Sequence, residues 1–381
     1  MKIGAFTMLT IYSSLAFMVL ISLSHALSKD EVPADPVFDK YEEMVALPGG
    51  KFMMGSSKSD GKDGESVQRK VTVKPFKINK YPITAASFRK FVRAKKYKTD
   101  AEKYSWSFAF DAFVPEAIKN TIEQRLPGAP WWIPVQNAYW RQPEGKGSGI
   151  ENRLNYPAVH ISNVDARAFC QWHGWRLPTE PEWEFAARGS LEGKEYPWGK
   201  KFEKNRMNIW QGKFPEKNTK ADGYHGVSPV DAFPPQNDYD LYDMIGNVWE
   251  WTSTKFSATP SAKDDAPSPA GEEENPSQVR FVLRGGSYID SKDGKFNHAT
   301  RVTTRMGNEA DAGSDNLGFR CAVSLPTGTS EKKPKGKKKN ADKVAKEEPT
   351  VTELPEGAKF VRPNPADLNG KGKKKKNRNE L

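Results

Sequence analysis

The stretch Arg176-Leu177-Pro178-Thr179-Glu180-Pro181-Glu182-Trp183-Glu184-Phe185-Ala186-Ala187-Arg188-Gly189 carries the clearest local signal in the chain. Thr179 followed three residues later by Glu182 is a capping box, and Pro181 falls in the first turn, where its missing N–H leaves no bond unmade. A helix over residues 182–188 is predicted. Glu180, Glu182 and Glu184 are close together, but negative charge at a helix start explains them better than paired acid–base chemistry. Upstream, Ser162-Asn163-Val164-Asp165 opens a second helix that carries Ala166, Phe169 and Cys170 and closes at Gly174. Earlier still, Thr84 caps a short helix with Phe88, Phe91 and Val92 on one face. Residues 70–74 alternate Val71 and Val73 with Lys70, Thr72 and Lys74, a strand pattern that Pro75 ends or marks as an edge. Residues 131–140 and 196–226 read as mostly loop, and 257–277, rich in Ala, Pro, Asp and Glu, as a low-complexity surface insertion. These features predict one α+β domain over residues 41–325, dense in irregular structure.

The chain has 381 residues with 59 Lys+Arg against 48 Asp+Glu, a formal charge of +11. Eleven Trp, 20 Phe and 12 Tyr exclude a wholly disordered chain, and two Cys exclude a cysteine-rich zinc module. Residues 1–26 read as a secretory signal peptide: Met1-Lys2, an apolar run, then Ser24-His25-Ala26. An uncleaved membrane anchor is the alternative. Residues 27–40 are expected to be a linker. From 331 to 381 there are 14 Lys and two Arg against eight acidic residues, so most of the net charge sits there. Such a composition predicts a disordered basic tail, over 326–381, rather than a nucleic-acid site. The tail ends Arg378-Asn379-Glu380-Leu381, similar to a Lys-Asp-Glu-Leu retrieval address. Together the two ends predict the lumen of the endoplasmic reticulum, with no membrane association after cleavage. In that oxidising compartment Cys170 and Cys321 either form a disulfide or remain as buried thiols.

Five motifs now line up: Leu47-Pro48-Gly49-Gly50-Lys51-Phe52-Met53-Met54-Gly55, the 176–189 stretch, Tyr242-Asp243-Met244-Ile245-Gly246-Asn247-Val248-Trp249-Glu250-Trp251, Arg284-Gly285-Gly286-Ser287-Tyr288, and Asn316-Leu317-Gly318-Phe319-Arg320-Cys321. In this order the chain resembles the formylglycine-generating enzyme family, also called the sulfatase-modifying factors. The resemblance implies an irregular relative of the C-type lectin fold. It also implies that Cys170 and Cys321 are the family's structural pair. Active members use two cysteines, spaced five apart, with copper(I) and oxygen to turn a substrate cysteine into formylglycine. Those positions fall here on Asp290 and Lys295. A carboxylate and an ammonium cannot replace thiolates on a soft metal or in thiol exchange. The chain therefore resembles the family's inactive branch, also because of Arg301-Val302-Thr303-Thr304-Arg305-Met306-Gly307-Asn308.

The resemblance further implies structural calcium, with Asn208, Asp222, Asp243 and Glu250 as side-chain ligands and carbonyls from Ile209, Tyr224, Gly246 and Val248. Hard oxygen donors suit that ion; from spacing alone the same residues could equally cap turns and helices. His160, His173, His225 and His298 show no zinc spacing. Trp131, Trp132 and Trp140 either line a groove or fill the core. The expected function is that of a non-catalytic luminal protein that binds sulfatases or the active paralogue, as heterodimer or beside a homodimer, and restrains formylglycine formation. Two alternatives stand: an enzyme of altered chemistry using Asp290 or His298 as base, and a calcium-dependent lectin-like module.

Overall fold

The computed structural model describes residues 36–326 apart from 59–61, 64, 66–67, 269–274 and 296. The expected signal peptide, most of the linker and the basic tail from residue 327 lie outside the described residues. The helices are α1 Pro36–Asp39, α2 Ala85–Lys95, α3 Asp100–Tyr104, α4 Glu116–Lys119, α5 Asn163–Trp172 and α6 Glu180–Arg188. The strands are β1 Met44–Leu47, β2 Gly50–Met54, β3 Arg69–Val73, β4 Phe76–Asn79, β5 Trp106–Phe110, β6 Trp132–Gln136, β7 Gly212–Lys213 and β8 Lys217–Asn218. The chain then continues through β9 Trp249–Lys255, β10 Arg280–Arg284, β11 Arg305–Glu309, β12 Leu317–Phe319 and β13 Ala322–Ser324.

The strands form a four-stranded sheet of order β11-β10-β9-β12, a three-stranded sheet β1-β4-β13 and three two-stranded ribbons. In the four-stranded sheet β9 runs antiparallel to β10 and parallel to β12. Strand β9 is buried from Trp249 to Thr254, as expected for a strand covered on both faces. Helix α6 lies between this sheet and the β2–β3 ribbon. Trp183 is fully buried and donates its indole N–H to Glu250 on β9, while Phe185 packs edge-on to Phe52 of β2. Both halves of its capping box are made: Thr179 Oγ1 accepts from Glu182 N, and Glu182 Oε2 accepts from Thr179 N. The helix begins at Glu180, two residues before the expected start, because Pro181 is itself in the first turn.

Helix α5 starts with the same device, Ser162 with Asp165, and packs Phe169 against Phe88 and Phe91 of α2. Cys170 near its end is joined to Cys321, just before β13, so the disulfide is formed and the free-thiol alternative falls. The alternating run at 70–74 behaves as expected, with β3 ending before Pro75 on a ribbon that has no further strand among the described residues.

Three expectations need correction. Residues 131–140 are not mostly loop, since Trp132–Gln136 form β6: it pairs antiparallel with β5, Phe108 opposite Pro134, with Ile133 and Val135 completely buried. Proline is tolerated there because β6 has a partner on one side only. The 257–277 insertion is docked as well as exposed: Ser268 N donates to Ser253 O, Arg167 Nη1 donates to Ser268 O, and Asp265 pairs with Arg69. The fold also reaches upstream of residue 41, since Phe38 of α1 packs with Tyr41, Tyr81 and Val230.

Candidate functional site

Strand β10 delivers Arg284, and the chain then turns sharply through Gly285 and Gly286 into Ser287-Tyr288-Ile289-Asp290. Gly285 has φ +97°, and a Cβ there would lie 2.8 Å from Met244 O and 3.1 Å from the Trp183 ring, so only glycine fits. Its carbonyl accepts from Gly246 N, which locks this loop to the 243–248 turn. Tyr288 N donates to Asn247 O, and Trp210 N donates to Asp290 O, joining the 208–210 segment to the same assembly.

Asp290 is 1% exposed. Its Oδ2 accepts from both the amide and the hydroxyl of Ser287 at 2.8 Å, and its Oδ1 accepts from His298 N at 3.1 Å. Asn316 Nδ2 donates to the Ser287 hydroxyl, fixing the direction of that O–H toward Asp290. Both carboxylate oxygens are thus committed to holding the loop. The His298 ring lies 3.7 Å from Asp290 Oδ1 through Nδ1 and 2.8 Å from Asp63 Oδ2 through Nε2. Burial alone would lower the His298 pKa, but the two carboxylates outweigh it and raise it to about 9. The ring is therefore an imidazolium at neutral pH and has no lone pair with which to act as a base. Lys295, expected to stand at the second cysteine position, is exposed.

A strap from the β2–β3 connection crosses this loop. Lys62 Nζ donates to the carbonyls of Gly294 and Asn297, Asp63 meets His298, and Glu65 binds Arg301 and Thr303. Arg305 reaches back to Asp63 O. Nothing in the sequence marks these residues as partners of the 290–305 loop, because the contacts span more than 230 positions.

The eight residues expected to hold calcium fall into two knots. In the first, Asp222 accepts from Ile209 N and Tyr224 N, and Asn208 Nδ2 donates to Gly226 O. In the second, Asp243 accepts from Asn247 Nδ2, and Gly246, with φ +84°, puts its Cα where a Cβ would stand 2.7 Å from Asn208 O. Asn247 N donates to that same carbonyl, so the knots touch. Burial raises the pKa of Asp222, and raises that of Asp243 to about 7. Neither has an ion-pair partner among the described residues. A half-buried Asp222 and a buried Asp243 beside amide and carbonyl oxygens suit a hard cation. Glu250 departs from the set: both its oxygens accept from Arg320, and Oε2 also accepts from Trp183. Asn208, Ile209, Asp222 and Tyr224 would hold the ion most readily. No group of three or more His, Cys, Asp or Glu is gathered as a metal cluster among the described residues.

The other residues singled out have structural work. Glu182 completes the α6 cap and pairs with Arg176. Glu180 and Glu184 lie in a buried network with Arg284, Arg305 and Arg188. His160 is completely buried, bonded to Ser107 Oγ and Pro143 O, and burial lowers its pKa to about 3. His173 stacks on Trp175, and His225 meets Phe113. Trp132 is packed in an aromatic cluster with Phe110 and Trp210, Trp131 lies against it, and Trp140 borders a cavity.

Comparison with known proteins agrees with this geometry. Residues 28–325 match the family model described as the sulfatase-modifying factor enzyme 1-like domain. The chain is 56% identical over 279 residues to the Bos taurus protein named "Inactive C-alpha-formylglycine-generating enzyme 2", covering 73% of this chain and 87% of that one. It is 44% identical over 290 residues to the Mus musculus "Formylglycine-generating enzyme", covering 75% of this chain and 76% of the other. Among solved structures, PvdO from Pseudomonas aeruginosa matches with a TM-score of 0.54 at 24% identity, over 75% of this chain and 95% of that one, which shows a shared fold.

Proposed function

We propose a non-catalytic role for this chain, which belongs to the formylglycine-generating enzyme (sulfatase-modifying factor) family. One observation carries the reading. The first cysteine position is occupied by a buried carboxylate whose oxygens are both used to hold the loop. The second carries an exposed ammonium. Oxygen donors and an ammonium offer no thiolate for copper(I) and no thiol for exchange. The relative named as inactive supports the same conclusion. The chain's role is then binding: it takes up unfolded sulfatase polypeptide, or the active paralogue as a heterodimer, in the lumen of the endoplasmic reticulum, and so restrains formylglycine formation. Calcium serves as a structural ion at the Asn208–Asp222 knot.

Two measurements test this. Purified full-length protein is incubated with copper, oxygen and a sulfatase-derived cysteine peptide; aldehyde product above a no-protein control refutes the non-catalytic reading. The active enzyme is then assayed on the same peptide with increasing amounts of this chain. A falling yield of formylglycine is expected. An unchanged yield, with no complex by size-exclusion chromatography, refutes the restraining role while leaving the first conclusion standing. A homodimer would elute at twice the monomer mass in the same run.

A further inference from the structure

Below the Ser287–Tyr288 turn lies a cavity of about 220 Å³ that none of Asp290, Lys295 or the calcium-knot side chains lines. At a liquid share of about 30 Å³ per water it would hold roughly seven waters. That is more than a structural water needs and less than a drug-sized ligand, so it suits a molecule or side chain of few heavy atoms. Its apolar walls come from Phe113, Trp140, Ile150 and Val159.

Its polar groups are unbalanced. Glu144 and Arg153 form an ion pair, with the Arg153 side chain 40% exposed and that of Glu144 15%, so the guanidinium leans toward solvent. Asp315, nearly buried, adds a second carboxylate, which accepts from Tyr288 Oη and from Phe110 N at 2.8 Å each. Two carboxylates therefore face one guanidinium. Burial raises the pKa of Asp315 to about 7, and the negative charge of Glu144 adds to the rise. A cation in the cavity would relieve both effects. Four aromatic residues border it, Phe113, Trp140, Tyr156 and Tyr288, and the face of such a ring attracts a cation in a desolvated site. A separate observation concerns Trp140, which is 3% exposed and whose indole N–H has no acceptor among the described residues. A buried donor left unpaired is costly, and a carbonyl of a bound molecule would satisfy it.

We propose that this cavity binds a primary ammonium on a short apolar stem next to a carbonyl acceptor, the chemistry of a peptide lysine. A free small amine shares the ammonium and stem without the carbonyl. The cavity is lined by neither Asp290 nor Lys295 and by none of the eight expected calcium ligands.

The test is calorimetric titration of the full chain with three probes: Nα-acetyl-lysine N-methylamide, the norleucine counterpart that keeps the stem and loses the ammonium, and benzylamine. The lysine probe is expected to bind about tenfold or more tightly than the norleucine one. Glu144→Gln, on a side chain the cavity mouth leaves partly exposed, should weaken the lysine probe and benzylamine about fivefold and leave norleucine unchanged. Trp140→Phe should weaken the lysine probe and leave benzylamine unchanged. Benzylamine binding without the lysine probe would assign a free amine as the source; both binding in competition would assign the side chain. Equal affinity for the lysine and norleucine probes, no binding of either amine up to about 20 mM, or an unaltered affinity in Glu144→Gln, overturns the proposal. A thermal melt of each variant, matching the parent, excludes loss of fold as the cause.

Discussion

Raising the pH should loosen the loop that carries Asp290 and His298, and His298 sets the amount. Its folded pKa of about 9 lies above the ordinary 6.5 because Asp290 and Asp63 outweigh the cost of burial. A base held protonated in the fold contributes stability that is complete below the unfolded pKa and is lost as pH rises through the folded one. The full shift corresponds to about 3 kcal/mol, and about 2 kcal/mol of it disappears between pH 7.5 and 9.5. The window isolates the histidine. Asp165, Asp243 and Asp315, raised to about 7, are already about three-quarters ionised at pH 7.5 and add only about 0.2 kcal/mol each above it. Tyr81 and the ion-paired lysines, raised above their ordinary values, matter only beyond pH 9.5. Guanidinium denaturation at pH 6.5, 7.5, 8.5 and 9.5 on parent and His298→Gln measures the effect. The parent should lose about 2 kcal/mol across the last three points, whereas His298→Gln should be nearly flat. A parent curve that is flat, or a variant with the same slope as the parent, refutes the reasoning that the Asp290–His298–Asp63 chain carries a charge.

Three further perturbations have expected sizes. Replacing Cys170 and Cys321 by alanine opens a loop whose ends are 151 residues apart, which the chain-entropy model sets at about 5 kcal/mol; for a domain of this size the melting temperature should fall by about 8 °C, read by scanning calorimetry. Arg284→Met leaves Glu180 and Glu184 buried with one cation fewer, at a cost of about 3–5 kcal/mol in unfolding free energy, read from denaturant curves. The size follows from Glu184: burial opposes its charge, yet Arg188 and Arg284 hold its pKa below the ordinary value. Calcium at about 100 times its dissociation constant should stabilise the fold by about 2.7 kcal/mol, a gain that Asp222→Asn or a chelator removes; a melt indifferent to calcium in the parent counts against the Asn208–Asp222 site.

Much of the fold was legible because its signals are local. Thr179–Glu182, Ser162–Asp165 and Thr84 each announce a helix start within four residues, and the structure places α6, α5 and α2 there. Strand β6 escaped notice because Pro134 and adjacent tryptophans conceal the alternation of Ile133 and Val135. The site divides in the same way. That Asp290 and Lys295 follow the Arg284-Gly285-Gly286-Ser287-Tyr288 motif is readable from the sequence. That Asp290 would be buried and engaged by Ser287 and His298, that Glu250 would be committed to Arg320, and that Lys62, Asp63 and Glu65 would strap the loop are consequences of long-range packing. No spacing encodes them. The cavity under Tyr288 was visible only as a possible groove at Trp140, since its carboxylates come from distant segments at 144 and 315.

The place of β13 also sets the time at which the domain can close. β4, formed by residues 76–79, lies between β1 and β13 and pairs with both, yet β13 begins at Ala322. At about 5–20 residues per second, a ribosome needs roughly 10–50 s to reach β13 after it has finished β4. Through that interval one edge of β4 waits unpaired, and Cys170 waits for Cys321. The domain is therefore completed only as its last strand emerges, and until then the open edge of β4 is the place where another chain could pair.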